Sequence, residues 1–128
     1  MHLINIYKTN LLEKLLKIYP SIKLCLDFGR IHLQECIDDN FNGLGIIRKF
    51  GVHAHVVHLW NAKIDENGHY PALKTLKVED GWGDMESYFK ALNEVNKTYK
   101  VLFEHKSHLI SDEELEECYN WINELVNK

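Results

Sequence analysis

Proline is scarce in this chain, at two residues in 128, and cysteine numbers only three. Cys25, Cys36 and Cys118 are odd in number and show no C-x-x-C spacing. Cys25 also lies inside an apolar run, so the reading is reduced, structural thiols in a cytoplasmic protein. No apolar run approaches the ~20 residues of a membrane span, and the first residues lack a basic-then-apolar signal, which excludes a membrane as partner. Excess positive charge is missing too. The 15 Lys and Arg are scattered, and the net charge is −4 with histidines neutral. A nucleic-acid partner is thereby excluded, since its footprint shows as a basic face. There is no low-complexity stretch and no linker. Residues 1–128 form a single domain with chain enough for a modest core, and 45% apolar with 27% charged residues is ordinary for a soluble globular protein.

What is present is more specific. Three residues with the chemistry of hard-metal ligands close three separate apolar runs: Asp27 ends the run from Ile22, His58 comes after Val56-Val57, and Glu104 ends Val101-Leu102-Phe103. Each run reads as a short buried strand with a helical segment after it. Barrels and open α/β sheets collect functional residues at strand C-termini, because those ends converge on one mouth.

The order of elements comes from punctuation and periodicity. Leu3-Ile4-Asn5-Ile6-Tyr7 reads as a short strand. Asn10 is placed to cap a helix over 11–19, which Pro20 stops. A strand covers 22–27, a polar, glycine-bearing loop 38–45, and a short helix 44–50 with Gly51 as its C-terminal cap. A strand over 54–60 leads into a long connection, 61–83, with turn signals at Glu66-Asn67-Gly68 and Gly81-Trp82-Gly83. Asp84 caps a helix carrying Met85, Tyr88, Phe89, Leu92 and Val95 on one face. A strand over 99–104 is next. Ser111 and Glu114 then form a capping-box pattern opening a last helix. Four β-α units in succession mean a parallel sheet.

Alternation assigns the faces. Counting back by twos from the polar ends gives Cys25 and Lys23, Val56 and Ala54, and Leu102 and Lys100. The opposite set, Leu24, Leu26, Val57, Leu59, Val101 and Phe103, is wholly apolar, as expected beneath helices. The same count sends His53 and His55 to the helix side, so that these two, with His105 and His108, are a cluster by composition only. Trp60 and Trp82 are placed to pack near the mouth.

Taken in order, these segments resemble the xylose-isomerase-like barrel superfamily, which includes sugar and sugar-phosphate isomerases and epimerases and endonuclease IV. Leu24-Cys25-Leu26-Asp27-Phe28-Gly29-Arg30-Ile31-His32 is similar to that family's sixth-strand motif, in which the aspartate binds metal. Val57-His58-Leu59-Trp60-Asn61-Ala62-Lys63 resembles the seventh strand. Glu66-Asn67-Gly68-His69-Tyr70-Pro71 and Gly81-Trp82-Gly83 resemble the loop after it, and Leu102-Phe103-Glu104 the eighth strand with its glutamate ligand. Asn5-Ile6-Tyr7 is similar to the residues just after the family's fifth-strand glutamate. The chain departs from the pattern twice: that glutamate falls at Ile4, and the histidine three residues after the aspartate is Arg30.

The resemblance implies four βα units forming half of a TIM-type (β/α)₈ barrel, units five to eight. It implies a weakened site for Mn²⁺ or Zn²⁺ held by Asp27, His58 and Glu104, with His69 as a further ligand. Glu104 would be the catalytic acid/base, and Arg30 and Lys63 would bind the anionic end of a small sugar or sugar phosphate. A complete barrel needs ~250 residues, so the chain is expected to pair as a homodimer or to be a fragment or remnant. The alternatives are a catalytically inactive paralogue, an endonuclease-IV-like phosphodiesterase, and, for the fold, an open doubly wound parallel sheet. Structural uses compete with the functional ones: Asp27 as a helix cap, His58 as a hydrogen-bonded core histidine, His69 as a surface loop residue.

Overall fold

The computed structural model describes residues 10–66 and 68–128. The strand expected at 3–7, and with it Ile4, lies outside the described residues. Strands Leu24–Asp27 (β1), Ala54–Leu59 (β2) and Lys100–Phe103 (β3) form a parallel sheet in the order β1-β2-β3. Among the described residues five α-helices accompany it: Leu11–Ile18 (α1), Phe28–Ile37 (α2), Gly43–Phe50 (α3), Met85–Val95 (α4) and Asp112–Val126 (α5). Among the described residues no helix is long and apolar enough to cross a membrane.

Side-chain chemistry explains where the helices start. Each of α2 to α5 is preceded by a side-chain acceptor: Asp27, Asn42, Asp84 and Ser111 bond the backbone N–H groups of Arg30, Gly45, Ser87 and Glu114. A cap of this kind stabilises by about 1 kcal/mol. The capping box of Ser111 and Glu114 forms in full. Asn10 behaves differently from expectation. Its backbone is left-handed (φ 57°) and its side chain makes no cap bond, although its carbonyl still accepts from Lys14. Gly51 does not end α3 in the left-handed manner either. It stays right-handed (φ −59°) and leads into a tight turn over Gly51–His53. A glycine suits this point because a Cβ would lie 2.9 Å from both Leu92 Cδ1 and Val95 Cγ2 on α4.

One face of the sheet carries the core. Leu26, Val57 and Leu59 are fully buried against Phe28, Ile47, Phe89 and Leu92, and Phe28 meets Phe89 edge-on at 5.0 Å between centroids. Full burial of each such side chain contributes about 1.5–3 kcal/mol. A smaller cluster of Leu12, Leu16, Leu24 and Phe50 seats α1 over the start of β1. On the other face, among the described residues, Cys25 is exposed and Leu102 keeps 49% of its surface in water.

The alternation breaks at one place. Leu24 pairs with Ala54, but the next residue, Cys25, pairs with Val56, so His55 is the extra residue of a bulge. An inserted residue turns its neighbours over. Ala54 therefore joins the core, and His55, expected under the helices, is exposed.

Candidate functional site

Beyond the bulge the register is regular and sets Asp27 beside His58. Between β2 and β3 it sets Leu59 beside Phe103, and the N–H of Glu104 then donates to the Leu59 carbonyl at 3.0 Å. Glu104 thus extends the ladder one residue past β3. The side chains of Asp27, His58 and Glu104 come together at the C-terminal ends of adjacent strands, each half-buried, with ligand atoms all within 4.8 Å of one another. His58 Nδ1 and Glu104 Oε2 are 3.0 Å apart.

Asp27 both caps a helix and belongs to this group. Its Oδ1 accepts from the Arg30 N–H at 3.0 Å and caps α2, and its Oδ2 lies 4.0 Å from Arg30 Nε. The capping use and the site use therefore coexist. Burial raises the Asp27 carboxyl above its usual value; the Arg30 N–H and guanidinium oppose that, and the Glu104 charge adds to it. Two carboxyl groups at one end of a sheet create a field that favours a cation.

The donor set fits a divalent metal. Atoms that share one ion at ~2.0–2.6 Å can lie no more than about 5 Å apart, and these lie within 4.8 Å. Two carboxylates and an imidazole suit Mn²⁺ or Zn²⁺, and three protein donors leave coordination positions for water or substrate. Among the described residues no second group of three such side chains comes within the same distance.

His69 stands outside this group. Its ring lies flat on Trp60, and its Nδ1–H donates to the Glu104 carbonyl oxygen at 2.9 Å. It is a neighbour of the site through the backbone of Glu104. Arg30 is exposed beside Asp27. Lys63 packs its stem near Gly81 and points its ammonium over the Trp82 ring, 5.9 Å from the centroid. His55 and His108 are exposed. His105 lies against Phe103 and Tyr119, and burial lowers its pKa.

The residues that hold the mouth together are Asn61 and Gly29. Asn61, 1% exposed, pairs its backbone with Tyr70 in both directions. Its Oδ1 accepts from Gly83 N at 2.9 Å and from its neighbour Ala62 N at 2.8 Å. Both ends of the long 61–83 connection are thereby tied to the end of β2. Gly29, in the first turn of α2, lets the Trp60 indole sit where a Cβ would be 2.2 Å from Cδ2 and Cε2. The sequence signal for Asn61 was a lone amide directly after an apolar strand; for Gly29 there was only a glycine two residues past Asp27.

No family model matches the chain, no curated protein matches its sequence, and no solved structure matches its fold.

Proposed function

We propose that the chain is a sugar or sugar-phosphate isomerase/epimerase-like protein, built as half of a TIM-type barrel, with a divalent-metal site at its strand C-termini. The observation that carries this reading is the convergence of Asp27, His58 and Glu104 within 4.8 Å. The open face at Cys25 and Leu102 supports the half-barrel over a doubly wound sheet, which needs cover on both faces. When bound, Mn²⁺ or Zn²⁺ polarises a carbonyl and its adjacent hydroxyl. Glu104, reaching past β3 and paired with His58, takes and returns the proton of the neighbouring carbon. Arg30 offers a planar fork to a phosphate or carboxylate end, and Lys63 adds a second positive group. A homodimer closes the open face and brings two such groups toward one mouth.

A second reading rests on Ile4, which stands where the resemblance places a glutamate ligand and proton carrier. In it the chain is an inactive remnant that keeps the fold. Calorimetric titration of the purified chain with Mn²⁺ and Zn²⁺ separates the two. The active reading expects binding that Asp27→Asn and Glu104→Gln each weaken. No binding by the native chain, with binding gained in Ile4→Glu, establishes the remnant. Binding unchanged in both ligand variants defeats the site assignment.

A further inference from the structure

Trp60 is 3% exposed, and its indole Nε1–H is buried with no acceptor among the described residues. Most buried side-chain donors find a partner, because a bare one forfeits its hydration and gains nothing in return. The place of this orphan ties it to the candidate site. Trp60 lies two residues past His58. Its ring packs on Gly29, two residues past Asp27, where a Cβ would be 2.2 Å from Cδ2 and Cε2. His69 lies flat on the same ring and donates from Nδ1 to the Glu104 carbonyl. All three segments that carry the group therefore connect to the indole, directly or through His69. Of these covers, only the imidazole can leave by side-chain rotation, since Gly29 is helix backbone.

We propose that Trp60 is a sugar-binding residue of this site: His69 swings off the indole, the C–H side of a neutral polyhydroxy ligand takes its place, and Nε1–H donates to a hydroxyl oxygen of that ligand. The inference rests on the sugar reading above. A ring already seated at 3.9 Å with planes within 7° marks an indole face that accepts a flat partner at van der Waals distance. An indole N–H only donates, so its missing partner is an oxygen acceptor and not a cation. Rotation of the His69 side chain gives up the stack and the bond to the Glu104 carbonyl. It leaves the backbone anchor in place, with the Lys106 N–H still on the His69 carbonyl. The orphan donor also sets specificity. A ligand with the hydroxyl satisfies it, and an analogue without the hydroxyl leaves it bare again.

The test is nitrogen–proton correlation NMR of the full chain without added metal. The neutral probes are methyl β-D-xylopyranoside and methyl α-D-glucopyranoside, which carry no anionic end and cannot isomerise. The three tryptophans give three indole N–H signals, and the one lost in Trp60→Phe belongs to Trp60. Should that variant not fold, Trp82→Phe and Trp121→Phe assign the signal by elimination. A probe should move the Trp60 indole proton downfield in a saturable way and leave those of Trp82 and Trp121 in place. His69→Ala uncovers the indole and should tighten binding roughly threefold or more. Trp60→Phe keeps a ring, removes the donor and should weaken binding roughly three- to tenfold. Saturable shifts of backbone amides around the group, with the Trp60 indole unmoved in both the native chain and His69→Ala, overturn the role of Trp60 and leave the sugar reading standing. Equal affinity in Trp60→Phe overturns the hydrogen bond, and affinity unchanged or lower in His69→Ala overturns the displacement of His69. No saturable shift with either probe, in the native chain and in His69→Ala, overturns the sugar reading together with the proposal.

Discussion

The imidazole of His69 lies flat on the indole of Trp60, with centroids 3.9 Å apart and planes within 7°. The stack does more than fill space. It fixes a loop histidine so that Nδ1–H meets the Glu104 carbonyl, and the His69 carbonyl in turn accepts from Lys106 N at 2.8 Å. The 61–83 connection is thereby fastened to the chain at the Glu104 carbonyl and again two residues later, at Lys106. The backbone of a proposed ligand is thus held independently of its side chain.

Gly29→Ala should disturb this arrangement at its base. The new methyl collides with Trp60 Cδ2 and Cε2, both 2.2 Å away, so the indole or the first turn of α2 has to shift. The expected cost is about 1–3 kcal/mol, as for other overpacked sites. Urea denaturation monitored by tryptophan fluorescence measures it. An unchanged midpoint would mean that Trp60 moves freely.

Asn61→Ala should loosen the connection over the mouth. It leaves the buried Gly83 N–H without its 2.9 Å partner, an omission that costs about 1–3 kcal/mol. Limited proteolysis should cut faster within 61–83 than in the native chain, while sites in α5 keep their native rate. Uniformly faster cutting would show a global role for Asn61.

Acid should destabilise the protein through His105. Burial lowers its pKa in the folded chain below the ordinary 6.5. The unfolded chain therefore takes up the proton first, and stability is full above pH 6.5 and is lost as pH falls through the folded value. His105→Leu should flatten that part of the stability-against-pH curve. The same slope in both proteins would assign the acid sensitivity to other groups.

Light scattering should report a homodimer at micromolar concentration. The open sheet face places Cys25 and Leu102 in water, and a parallel sheet bare on one side is rare in a monomer. Leu102→Glu puts a charge on that face and should shift the mass toward monomer while leaving the fold intact. A well-folded native monomer would remove the dimer and, with it, the closed ring of two half-barrels.

Much of the layout was legible in the sequence because it is local. Apolar residues at helical spacing marked α4 and α5, the Ser111–Glu114 pattern marked a capping box, and strict alternation separated Leu26, Val57 and Leu59 from the face of Asp27. The three ligand-type residues were found from their position at strand ends, a property of each segment alone.

What the tertiary structure decided is every feature that joins distant segments. The bulge at His55 reverses the assignment of Ala54 and His55, and nothing in the local alternation announces it, since bulges answer to the partner strand. The two tasks of the Asp27 carboxylate, the reach of Asn61 to Gly83 and the seat of Trp60 on Gly29 depend on which chains meet beyond the sheet. Periodicity in a sequence tells which side of an element is apolar, because the backbone repeats locally. It carries no distances between elements, and those are fixed only when the strands pair and the loops are drawn over their ends.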